Sequence, residues 1–150
     1  MFEKMLAIIN NNSTQDQYKN SESKVILAAL FVKLARIDDD YTEQEKLYII
    51  RLLEQKFQVT EHEAKIILNK AEELESYTVD TVQLTREIKK EIPYEKRQEL
   101  VIDLWSIVLA DQCRTAEESC FMRLCIKLLG ISDVDSAHAR KSALNKITQA

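Results

Sequence analysis

From Ser21 onward the chain alternates long segments of apolar residues at helical spacing with brief polar breaks. Apolar positions recurring at three- and four-residue intervals line one face of an α-helix. The pattern predicts helices near 22–37, 43–57, 61–75, 81–91, 93–110, 116–129 and 133–147. Two segments differ from the rest: 25–35 (VILAALFVKLA) and 100–110 (LVIDLWSIVLA) are apolar nearly all round, with Lys33, Asp103 and Ser106 as exceptions. A helix that is apolar on every side belongs at the centre of a bundle. Phe31, Leu34, Leu104, Trp105 and Ile107 are therefore expected among the most buried side chains.

Helix starts are well marked. Thr42, Thr60 and Thr115 each precede a Glu by three residues (Glu45, Glu63, Glu118), and Ser132 precedes Asp135 likewise. These are capping boxes or close analogues, in which two side chains satisfy the orphan N–H groups of the first turn. Asp80 reads as a single N-cap. Before the first buried helix, residues 10–24 are rich in Asn, Ser and Gln and read as a flexible connection from a short amphipathic helix at 2–9. The expected organisation is a short N-terminal helix and linker over 1–21 and one helical domain over 22–150. That short helix could touch lipid or a partner, although packing on its own domain is favoured.

Sliding the chain by 73 residues pairs 27–53 with 100–126, and 20 of the 27 pairs agree in polar or apolar class, against about 14 by chance. Asp38, Thr42 and Glu45 recur as Asp111, Thr115 and Glu118. Further on, Phe57-Gln-Val-Thr60 aligns with Leu129-Gly-Ile-Ser132. The fold class expected is all-α, a single-domain bundle of about seven to eight helices with an internal pseudo-two-fold repeat.

Composition narrows the function. One Gly and one Pro in 150 residues leave little material for tight hairpins or phosphate-cradling loops. Gly130 falls at a helix end and Pro93 at a helix start, where each is tolerated. With Lys plus Arg at 21 against 25 for Asp plus Glu, the net charge of −4 gives no footprint for nucleic acid. Three Cys, at 113, 120 and 125, fit a reducing, cytoplasmic compartment, with 120 and 125 packed as small hydrophobes. They lack the paired spacing and adjacent His of a zinc site, the two His standing at 62 and 138. No apolar run is long enough for a transmembrane segment, and the N-terminus lacks a secretory pattern. No enzyme motif is complete: His62 begins HEAKI, with Ile66 where the second ligand of a zinc protease would stand. Glu72, Glu73 and Glu75 read as a solvated charge run.

The acidic corners carry the candidate chemistry. Asp38, Asp39 and Asp40, and again Asp111, follow the buried helices, where the macrodipole disfavours carboxylates, so a cation is expected nearby. Two readings stay open. In one, these acids and Glu45 and Glu118 only cap turns and helices, with Lys or Arg neutralising them. In the other, the repeat brings Asp38, Asp40, Glu45, Asp111 and Glu118 together as oxygen ligands for a divalent cation such as Ca²⁺ or Mg²⁺. The site would not be an EF-hand, because Glu43 and Ile49 replace the Gly and Glu that its loop requires.

The two corners, ARIDDDYTEQEKLYIIRLL and VLADQCRTAEESCFMRLCIKLLGIS, resemble the repeated acid-to-Glu corners of the TerB-like, tellurite-resistance-associated family. The likeness covers roughly 22–140 and extends to the N-terminal domain of a membrane-anchored DnaJ-like co-chaperone, though no HPD tripeptide occurs. The chain departs from the pattern in carrying Asp39 and Gln112 where the family places Gly. The resemblance implies an all-helical, non-enzymatic stress-response module acting in cation binding or scaffolding with protein partners near the membrane, with Asp38, Glu45, Asp111 and Glu118 as its binding positions. Rival readings are a metal-independent helical adaptor or co-chaperone-like protein-binding domain, and an enzyme of unrecognised type.

Overall fold

The computed structural model describes residues 18–37, 40–77, 80–110 and 115–149. Among them are seven helices and no strand: α1 (Tyr18–Ala35), α2 (Glu43–Phe57), α3 (Glu61–Ser76), α4 (Thr81–Glu91), α5 (Tyr94–Ala110), α6 (Ala116–Leu128) and α7 (Asp133–Gln149). The helix expected at 2–9 lies outside the described residues. Helix α1 begins four residues ahead of the predicted start and takes in part of the polar stretch read as linker. Once Val25–Ala35 is docked, each added turn propagates an existing helix instead of nucleating one, so weak helix formers are carried along.

The centre is built as the apolar pattern demands. Phe31, Leu34 and Leu104 are sealed from solvent, and Trp105 and Ile107 are nearly so. Asp103 and Ser106 are buried with them. The Ser106 hydroxyl donates to the Asp103 carbonyl at 2.7 Å, and the Asp103 carboxylate meets Lys56 of α2 at 2.7 Å.

The sequence repeat is also a repeat of packing. Helix α1 packs most heavily on α3, its successor but one, and α5 packs most heavily on α7. Helix α4 joins the two three-helix units and rests on both α1 and α6. The match extends to single hydrogen bonds. At the end of α2 the Val59 N–H donates to the Glu54 carbonyl at 3.2 Å, and at the end of α6 the Ile131 N–H donates to the Ile126 carbonyl at 3.1 Å. Each is the six-to-one bond of a helix closed through a left-handed residue. Those residues are the aligned pair Gln58 (φ 52°) and Gly130 (φ 72°).

Candidate functional site

Every predicted Thr or Ser cap forms. The Thr42, Thr60, Thr115 and Ser132 hydroxyls accept the backbone N–H of Glu45, Glu63, Glu118 and Asp135 at 3.1 to 3.2 Å, and Asp80 caps α4 by accepting from Val82. At Thr115 the box is closed in both directions. Glu118 Oε1 accepts the Thr115 N–H at 3.0 Å and its hydroxyl at 3.1 Å. At Ser132 a tyrosine is inserted into the box: the Ser132 N–H donates to the Tyr94 hydroxyl, which itself donates to Asp135 at 2.6 Å. That bond holds the Asp135 carboxyl below the usual carboxylate range, with the Ser132 cap adding to it.

These caps place two of the predicted site residues. Glu45 and Glu118 each occupy the third position of a helix, where unsatisfied N–H groups favour a carboxylate. A cavity of about 550 Å³ opens between the ends of α1 and α5 and the starts of α2 and α6. Leu34, Ile107 and Ala110 supply its apolar wall, and Asp40, Glu45 and Glu118 its acids. Tyr48 also lines it, with its hydroxyl donating to the Ser106 carbonyl at 3.4 Å. Acids of both repeats therefore share one cavity at the seam. Glu118 is buried, its Oε1 committed to the cap, while Asp40 is exposed.

Asp38 and Asp111 lie outside the described residues, as do Asp39 and Gln112. Among the described residues no three His, Cys, Asp or Glu form a group that could hold a metal ion. Asp40, Glu45 and Glu118 are all hard oxygen donors, the type that Ca²⁺ and Mg²⁺ take.

Helix α1 ends at Ala35 and Asp40 stands two residues ahead of the Thr42 cap, so it belongs to the positive start of α2 more than to the negative end of α1. The cations expected there are present but already engaged. Arg36 and Lys46 each lie 5.1 Å from the centre of the Tyr41 ring. Arg36 pairs with Glu75, and Lys46 approaches Glu72 at 3.7 Å. Glu72 and Glu75, read as a solvated run, are thus half-buried ion-pair partners tying α3 to the corner, while Glu73 is exposed. Single-residue exposure is hard to read from a charge run because residues three apart on a helix, such as Glu72 and Glu75, share one face while Glu73 between them points elsewhere. Burial, reinforced by the Glu72 carboxylate, pushes the Tyr41 phenol far above its ordinary range, so it stays protonated.

Two further expectations resolve differently. Cys125 is buried and its thiol is pushed up to about 12 by desolvation, whereas Cys120 is exposed and not packed as a core residue. Cys113 lies outside the described residues. The Lys56–Asp103 pair was not anticipated; burial raises the Asp103 carboxyl, with Lys56 opposing. Its only sequence signal was an acid within an otherwise apolar helix.

A bundle of two like three-helix units, joined by a bridging helix and enclosing an acidic cavity at their seam, defines a repeated all-helical module. The family model described as tellurite resistance protein TerB matches residues 24–141, from the start of the buried part of α1 into α7. The chain belongs to this TerB family. No curated protein and no solved structure matches it. No described helix is long and apolar enough to cross a membrane.

Proposed function

We propose that the chain is a non-enzymatic, tellurite-resistance-associated interaction module whose two corners are joined by a divalent cation, Ca²⁺ or Mg²⁺. Its ligands are drawn from Asp38, Asp40, Glu45, Asp111 and Glu118. The observation that carries the reading is the shared cavity: Asp40 and Glu45 of one repeat and Glu118 of the other line the same space. Calcium takes six to eight oxygens at roughly 2.3–2.6 Å, more than the three described acids would give as single donors. The aspartates of the two corners, Asp38 and Asp111, bring the acids to five, and bidentate carboxylates or waters fill the remaining positions. A cation there offsets carboxylates that would otherwise repel one another across the seam. The same ion fixes the relative position of the units, and so the surface offered to a protein partner, in the cytoplasm or at the membrane surface.

Calorimetric titration with Ca²⁺ and with Mg²⁺ tests this. The wild-type chain gives a saturable heat and melts higher in saturating cation. At one hundred times Kd the gain is about 2.7 kcal/mol, or roughly 5–10 °C for a chain of this size. An Asp38→Asn/Asp111→Asn variant loses both effects. No heat and no shift in the wild type would make the corners caps only, and the chain a metal-independent adaptor.

A further inference from the structure

Far from the acidic seam, α4 and the end of α6 enclose a second cavity of about 370 Å³ with the opposite character. Its lining includes Val82, Arg86, Lys89 and Lys90 of α4 and Leu128 of α6. On α4 these positions fall at i, i+4, i+7 and i+8, a single stripe about 12 Å long. The opposite face of α4, with Leu84 and Ile88, is buried in the core.

The cations in this stripe are not consumed internally. Among the described residues Arg86 and Lys89 form no ion pair, and Lys90 meets only Glu87, on its own helix, at 3.3 Å. Lys89 stands near the end of α6, its Nζ 3.8 Å from where a Cβ on Gly130 would be, but the Leu129 carbonyl there is already taken by Arg97 at 2.7 Å. The groove also has apolar surface to cover: Val82 is exposed, and so is Leu124, one turn before Leu128 on α6. In a chain of net charge −4, this is a local inversion of charge around an apolar floor.

We infer that the α4–α6 groove is the docking site for an acidic amphipathic helix of a protein partner. One turn of helix advances 5.4 Å, so carboxylates one turn apart on the ligand match cations one turn apart on α4. An apolar side chain between them covers Val82 and Leu128. A nucleic acid would need several more phosphate contacts than three cations supply. An anionic bilayer is flat where this surface is concave. The groove lies at the opposite end of α6 from Glu118, so this inference stands or falls apart from the cation site.

The test uses a fluorescein-labelled helical peptide with Glu and Leu on one face, a scrambled peptide of the same composition, and vesicles containing phosphatidylserine. The facial peptide binds, weakens by about tenfold or more when salt is raised from about 20 to about 300 mM, and shifts the amide resonances of Val82, Arg86 and Leu128. Arg86→Glu/Lys89→Glu lowers its affinity at least tenfold; the milder Arg86→Gln/Lys89→Gln lowers it less and guards against a folding defect, read by circular dichroism. The inference is overturned if the peptide does not bind, if the scrambled peptide binds as well, if the shifts map elsewhere, or if vesicles bind through Arg86 and Lys89 while the peptide does not.

Discussion

Gln58 and Gly130 show how one backbone requirement can be met by two residues of unequal fitness. Both close a helix at positive φ, but an L-residue with a side chain pays about 1–2 kcal/mol there and glycine does not. Gln58→Gly is expected to stabilise the fold by about 0.5–1 kcal/mol, allowing for the extra freedom glycine gives the unfolded chain. Gly130→Ala is expected to cost about 1 kcal/mol through conformation, since an added Cβ would meet only ordinary contacts, 3.6 Å to Arg97 and 3.8 Å to Lys89. Urea melts of the two variants check both signs. Lys56 makes a harsher prediction. Removing it as Lys56→Met leaves the buried Asp103 carboxylate without its counter-charge, at a cost of about 3–5 kcal/mol, and Lys56→Met/Asp103→Leu recovers most of that. The pH response follows from sign. Because burial raises the folded Asp103 carboxyl above its unfolded value, the folded state holds that proton more tightly, and acidification from neutral pH favours folding of Lys56→Met. Asp135 behaves in the opposite sense. Its folded carboxyl is lowered by the Tyr94 hydroxyl, so its contribution is present above the ordinary carboxylate range and is lost as pH falls below that range through the lowered folded value. Tyr94→Phe should flatten that part of an acid-denaturation curve.

Among the helices, the starts were the most legible feature, because a cap is a local contract between residues three apart and needs no tertiary knowledge. All four Thr and Ser caps form where the spacing places them. They are not equal, however. Thr115 has both directions of its box closed by a buried Glu118, whereas Thr60 caps an exposed turn. Thr115→Ala is expected to cost about 2 kcal/mol and Thr60→Ala about 1 kcal/mol or less, measured as thermal or denaturant shifts. The start of α1 was harder to read, since polar residues joined to a docked apolar helix follow it despite their own preferences. The pairing of Glu72 and Glu75 with the first corner was illegible for another reason. Their partners Lys46 and Arg36 lie 26 and 39 residues away, and only the docking of α3 brings them together.

Across the whole molecule the repeat is the organising fact. A shift of 73 residues aligns the two units, the two heaviest helix packings are each other's counterparts, and the cavity between the corners takes acids from both halves. That Glu45 and Glu118 line one cavity is consistent with their recurring in register. The Tyr48 wall was not legible in the sequence, because an aromatic residue at helical spacing carries no mark of which cavity it faces, nor were the cations at Tyr41, because Arg36 and Lys46 reach its ring only through the folded corner. The charge layout is likewise a property of the assembled chain: acids gather where α6 begins, and where it ends stand Lys90, paired with Glu87, and Arg86 and Lys89, which form no ion pair among the described residues. In the proposed site one cation spans both repeats. Its most direct test is paramagnetic broadening by substoichiometric Mn²⁺, a hard divalent stand-in, in amide spectra. With one ion bound between the repeats, the Glu45 and Glu118 resonances broaden together and recover on adding excess Ca²⁺ or Mg²⁺. Broadening confined to one corner, or spread over surface acids such as Glu61 and Glu117, would contradict the shared site.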